Sequence, residues 1–209
     1  VWESINQASM AIKKVLEKKL VIGDLPKIIK LVRQHCHQVF GAILGTMLRN
    51  EGFNFLRLGT FIERSDNTAR LLDIKHFAFF QPALSHRSGF DNIQVHVILR
   101  SVSSDGGFRL LYGNDLSPRN IAEFLINDIR MPRSLRFSFK KIMENIRYLV
   151  DDYDFEPESF NLANDLAAHI NYYGIDNVLA FGLNAFVRDT LLKINFLSKQ
   201  IEADYRFFS

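Results

Sequence analysis

The sequence predicts an all-α chain, folded as an antiparallel bundle of about seven helices with no significant sheet. Three observations carry this. Apolar residues recur at helical spacing through almost every stretch between turn residues. Ser, Asp and Pro stand where those stretches begin, and Gly where they end. No alternating apolar–polar run has turn chemistry on both sides, as a strand would. Short connections between such helices imply antiparallel neighbours, and positions 1–209 read as a single helical domain.

The first helix runs from Val1 to about Leu20, with Ile5, Ala8, Ala11, Ile12, Val15 and Leu16 on one face, and Gly23 stops it. Asp24 as N-cap and Pro26 near the start open a second helix, which reaches about Arg49. Gly41 and Gly45 lie one turn apart within it, and each weakens a helix by about 1 kcal/mol relative to Ala. Their presence implies close contact with a neighbouring helix or irregular backbone. Asn50-Glu51-Gly52 breaks the pattern, and a third helix follows from about Phe53 to Phe79. Residues Phe80 to Phe90, with Pro82 and Gly89, read as a loop. Asp91 caps a fourth helix that ends at Tyr112-Gly113. Ser117-Pro118 opens a fifth, and Pro132 restarts a sixth that runs to about Val150. The acidic stretch Asp151 to Glu158 is a linker. A seventh helix covers about Pro157 to Tyr173 and stops at Gly174, and Asp176 caps a long last helix to about Phe207.

Composition narrows the function classes. Hydrophobic residues make up 47% and charged residues 23%, so a packed core is available and disorder is not indicated. Nineteen Phe against one Trp and six Tyr imply a core filled largely by Phe. Twenty-six cations against twenty-three anions give a net charge of +3. That near balance, with no nucleic-acid motif, argues against a nucleic-acid partner. No apolar run approaches the roughly 20 residues of a membrane helix. The one cysteine, Cys36, cannot form a disulfide within the chain, which fits a reducing compartment and makes the cytoplasm the expected location. In His35-Cys36-His37, adjacent helical side chains point about 100° apart, so they cannot converge on one metal and Cys36 is expected to face the core. His76, His86, His96 and His169 lack ligand spacing. Ser104-Asp105-Gly106-Gly107-Phe108 lacks the Lys and spacing of a phosphate loop, and no hydrolase elbow or zinc-protease motif occurs. No cofactor or metal is expected.

The third helix is the unusual one. With Glu63 at zero on a wheel of about 100° per residue, Arg70 falls near −20°, Asn67 near +40°, Asp66 near −60° and Asp73 near −80°. Leu56 and Ile74 close this polar arc at both ends, near +20°. Three readings stay open: a solvated face with weak ion pairs, an internal charge network in an otherwise buried helix, or the wall of a ligand pocket.

The same segment carries a resemblance. Gly59-Thr60-Phe61-Ile62-Glu63-Arg64-Ser65-Asp66-Asn67-Thr68-Ala69-Arg70-Leu71-Leu72-Asp73 is similar to the signature of the alpha-E family, bacterial helical domains named for a Glu-Arg motif. Further resembling stretches follow in order: Ile98 to Ser103, Leu111-Tyr112-Gly113, Phe124-Leu125-Ile126 and Met131 to Phe137, with Trp2-Glu3 and Gly45-Thr46-Met47 upstream. Together they cover essentially the whole chain. Thr60 departs from the family, which usually has Arg there. Family members also open with an earlier copy of the Glu-Arg helix, and this chain has one, so an N-terminal truncation is expected.

The resemblance implies a setting rather than a reaction. The family's genes neighbour ATP-grasp proteins, transglutaminase-like proteases and proteasome-like hydrolases. The expected role is a non-catalytic helical partner domain of an ATP-grasp-type peptide or amide ligation system, with an ATP-grasp ligase or a transglutaminase-like protein as partner. Glu63, Arg64, Asp66, Asn67, Arg70 and Asp73 would form its polar network or binding site. The alternatives are an enzyme using Glu63 as a general base raised by burial, with Arg70 or the basic sixth helix holding an anionic substrate, and a structural bundle that forms a homodimer. Candidate anion ligands are Arg100, Arg133, Arg136 and Lys140. Arg133 is expected in the first turn of the sixth helix, where backbone N–H groups are free, and Glu144 is the local partner if that face is merely solvated.

Overall fold

The computed structural model describes residues 1–80, 88–172 and 174–206, with side chains for 1–73, 95–172 and 174–206. Ten α-helices and no strand occur among the described residues. Contacts divide the chain into two compact units, Val1–Phe53 and Asn54–Ser209.

The first unit is a helical hairpin. α1 (Trp2–Leu16) packs on α2 (Leu25–Thr46) through a short 3-10 turn, Ile22–Asp24. Asp24 is the N-cap residue of α2 and Pro26 lies in its first turn. Two helices have only one shared seam, and Ile43 is the single buried residue of either. Trp2, Met10, Ile22 and Leu48 stay exposed. Cys36 is exposed too, against the core position expected of it. A methyl added at Gly41 or Gly45 would meet nothing within 4 Å, so the close contact expected there is not made among the described residues.

The second unit holds the core. α3 (Glu51–Phe80) enters it at Asn54 and presents Leu58, Phe61, Ser65, Thr68, Ala69 and Leu72 to the interior. α4 (Ser88–Ser101) is already helical three residues before Asp91, which is therefore not its cap. The expected fourth helix is two: Ser103 at φ 55° ends α4, and Ser104 precedes α5 (Asp105–Tyr112). Phe108 of α5 stacks on Tyr112 at 4.9 Å and meets Phe124 of α6 (Pro118–Ile126) edge-on at 5.4 Å. Ser117 caps α6 as the Ser-Pro pair predicts, accepting from the Asn120 N–H at 3.4 Å.

α7 (Leu135–Tyr153) and α8 (Glu158–Tyr172) form an antiparallel pair across a short turn, with α10 (Leu183–Asp204) packed on α8. Asp154, at φ 49°, ends α7 inside the stretch expected to be linker. An Asp tolerates that left-handed cap better than most residues. The expected last helix is also two, α9 (Ile175–Phe181) and α10, because Gly182 adopts φ 104°. Phe61, Phe108 and Phe139 are among the largest fully buried side chains, as the Phe-rich composition predicts. No helix among the described residues is long and apolar enough to cross a membrane.

Candidate functional site

α3 divides its polar residues between two sides. Glu63 and Arg64 are successive, so their side chains leave the helix about 100° apart. Glu63, Asp66 and Arg70 line an open cleft between α3 and α10, about 900 Å³ in volume. α10 supplies the other wall through Arg188, Asn195, Ser198 and Glu202, and Phe55, Leu58, Ile62 and Ile194 add apolar lining. One end is held by Phe55 against Tyr205, edge-on at 4.9 Å. The two helices therefore run antiparallel, with Arg70 and Arg188 towards one end and Phe55 and Glu202 towards the other.

Within the cleft, Arg70 grips Asp66 with two bonds: Nε donates to Oδ2 at 2.6 Å and a terminal nitrogen to Oδ1 at 3.0 Å. Asp66 holds the exposed Arg70 guanidinium above its ordinary pKa. An exposed pair of this kind contributes little to stability. Glu63, Arg188 and Glu202 are exposed and form no ion pair or hydrogen bond among the described residues. Gly59 lies in the same wall, and a methyl built on it would touch nothing within 4 Å.

Arg64 faces the other side. Its guanidinium lies 5.4 Å from the centre of the Phe61 ring, and Arg57 covers the same ring at 4.4 Å. Burial, then the like charges of Arg133 and Arg57, lower the Arg64 pKa, while Glu63 opposes them. Next to this cluster the buried Thr68 hydroxyl donates to the Arg133 carbonyl at 2.8 Å, tying α3 to the segment before α7.

The expected site is thus partly assembled. The arc is not buried inside the helix bundle: Glu63, Asn67 and Arg70 are exposed, and Leu56 is only partly buried. Ile74 lies outside the described side chains. Asn67 stands apart from the cleft, and Asp73 acts on Arg70 only through its charge. The candidate anion ligands scatter. Arg100 is exposed at the end of α4, where its charge acts on Asp105. Arg136 and Lys140 line a second cleft, between α7 and α8.

Arg133 is not in the first turn of α7, which begins at Leu135. The reason is Ser134, fully buried, whose oxygen accepts from the Phe137 N–H at 3.0 Å and whose hydroxyl donates to the Asp128 carbonyl at 2.8 Å. The free N–H groups invoked for Arg133 are therefore partly taken. Asp128 is itself pinned by Arg130, at 2.8 Å and 3.0 Å, which lowers its carboxyl pKa.

Among the histidines, His96 pairs with Asp105 at 2.9 Å, and His169 lies 3.2 Å from the Lys193 amine and 3.4 Å from Asp189. His76 and His86 lie outside the described side chains. No group of His, Cys, Asp and Glu among the described residues is placed to hold a metal.

The residues of α10 went unpredicted. Arg188, Leu191, Leu192, Asn195, Ser198 and Glu202 do follow helical spacing, and that stripe was the available signal. Nothing in the sequence marks it as the side that meets α3.

No curated protein and no solved structure matches the chain. A family model described as a predicted alpha-helical domain with a conserved ER motif matches residues 1–206. The chain's only Glu-Arg pair is Glu63-Arg64, at the divide between the cleft and the arginine cluster. The chain belongs to the Alpha-E family.

Proposed function

We propose that this chain is a non-catalytic helical partner domain of an ATP-grasp-type peptide or amide ligation system, and that the α3–α10 cleft is the surface it offers. The carrying observation is the cleft itself: about 900 Å³, open, with an apolar lining and three charged side chains, Glu63, Arg188 and Glu202, that form no ion pair or hydrogen bond among the described residues. Charges of both signs beside apolar surface suit recognition of a protein segment. Gly59 supports the reading. A helical Gly costs about 1 kcal/mol relative to Ala, and packing among the described residues does not require it here. A partner passing close to the α3 backbone would.

The test is calorimetric titration of an ATP-grasp-type ligase from the same host with the full-length gene product. Charge reversal at Glu63 and at Arg188 should each weaken binding about tenfold or more. No binding, or binding indifferent to both reversals, overturns the reading. The same titration with a transglutaminase-like protein tests the other expected partner, and light scattering tests for the homodimer.

A second reading is an enzyme of the same pathway, favoured by the access to Glu63 in a concave site also lined by Arg70 and Arg188. Glu63 is exposed, however, and lacks the buried setting expected for that role. Turnover lost in Glu63→Gln with partner binding intact would establish it.

A further inference from the structure

We infer that the α7–α8 cleft is a second binding site, whose ligand is an extended acidic peptide. The cleft is about 730 Å³ and open. Arg136, Lys140 and Arg147 of α7 all line it and all are exposed. At about 100° per residue they fall within one arc of about 40°. Their carboxylate neighbours pair with one of the three, Lys140, and leave both arginines without an ion pair among the described residues. Glu144 is held by Lys141 at 2.5 Å, and Lys140 stands 4.0 Å from the same group. Arg136 and Arg147 form no ion pair among the described residues, Asp151 one turn beyond Arg147 included.

The facing wall on α8 is uncharged. Asn164 and Asn171 stand on it, exposed, with no hydrogen bond among the described residues. A carboxamide both donates and accepts, which matches the N–H and C=O of a peptide backbone. Arginines match carboxylates with two parallel bonds. Arg136 and Arg147 are eleven residues apart, about 16 Å along a helix at about 1.5 Å per residue. An extended chain covers that in about five residues at about 3.3 Å each. Two carboxylates about four or six residues apart, an even spacing that keeps both side chains on one face of the extended chain, would reach both arginines. Met143, Ile129 and Ala167 offer apolar contact between them.

A nucleic acid fits less well. Its phosphates are regularly spaced, and Glu144 and Asp151 on the same rim would repel some of them. A peptide can set neutral residues there. This site does not depend on the reading of the α3–α10 cleft.

The test uses the full chain alone and a fluorescein-labelled peptide of valines with two glutamates about six residues apart, on one face of the extended chain, followed by anisotropy at low salt. Comparators are the same peptide with lysines for glutamates and a single-stranded oligonucleotide of equal length. The acidic peptide should bind in the range of about 1–100 μM. Arg136→Ala and Arg147→Ala should each weaken it about tenfold, while Arg188→Ala in the other cleft leaves it unchanged. All three positions are exposed, and circular dichroism melts check that each variant stays folded. No binding by about 1 mM, equal binding of the lysine peptide or the oligonucleotide, or an equal loss in Arg188→Ala would overturn the proposal.

Discussion

The hairpin of residues 1–53 and the bundle of residues 54–209 use the same helical code and reach opposite degrees of burial. α2 is as long as α10, with 22 residues each, yet α2 buries one residue and α10 buries seven. A helix has one apolar stripe, and two helices alone cover only the seam between them. In the bundle each stripe meets several neighbours. Amphipathic sequence thus secures helix formation in both units, and the number of surrounding helices decides whether the stripe becomes core.

The largest expected effect lies in the bundle. Leu149 is fully buried on α7, and Leu149→Ala should cost about 2–5 kcal/mol in urea unfolding. A loss below about 1 kcal/mol would mean that the bundle is as loosely covered as the hairpin. Ser134→Ala comes next, at about 1–2 kcal/mol, because it removes the α7 cap and one of the two donors to the Asp128 carbonyl, the other being the Met131 N–H. Ser134→Thr, which keeps the hydroxyl, should cost less if its methyl fits.

Gly59→Ala should stabilise by up to about 1 kcal/mol, since its methyl meets open space. Gly41→Ala in the hairpin should do the same. A destabilised Gly41→Ala would show that something covers that face in solution. In Gly59→Ala, higher stability with weaker partner binding would sharpen the cleft reading.

A smaller effect concerns pH. Burial, then Lys193, hold the His169 imidazole below its ordinary pKa of 6.5, with Asp189 opposing. The unfolded chain therefore binds more protons as pH falls through about 6.5, and stability drops from there towards the lower folded value. His169→Gln should flatten that slope in melts between pH 7.5 and 5.5, and an unchanged slope would place the titration elsewhere. The smallest effect is in the hairpin. Ile22 is 91% exposed, and Ile22→Ser should change stability by no more than about 0.5 kcal/mol. A loss near that of Leu149→Ala would break the comparison.

Local chemistry was legible where it was decisive. The Ser-Pro start of α6 and the Phe-filled core both follow from the residues. Breaks that needed one residue in an unusual conformation were not. Ser103 and Gly182 each sit in continuous helical periodicity, and only their positive φ divides the helices. Pro132 looked like a helix start, but Ser134 two residues later had the better hydrogen bonds and took the cap. The Glu63 arc was legible as polar but its depth was not: Glu63, Asn67 and Arg70 are exposed and Leu56 is only partly covered.

The sequence by itself determined that the chain is helical, most of the places where its helices begin and end, and its family through Glu63-Arg64 and the ordered motifs around it. Those properties reside in residues a few positions apart, where propensity, capping and periodicity act. The tertiary structure alone decided that Glu63 faces α10 while Arg64 faces Arg133, and that Arg136 and Arg147 look across at two asparagines. Such pairings join residues far apart in the chain. They depend on which of several similar helix faces pack together, and that choice is made by the sum of many side-chain contacts rather than by any local pattern.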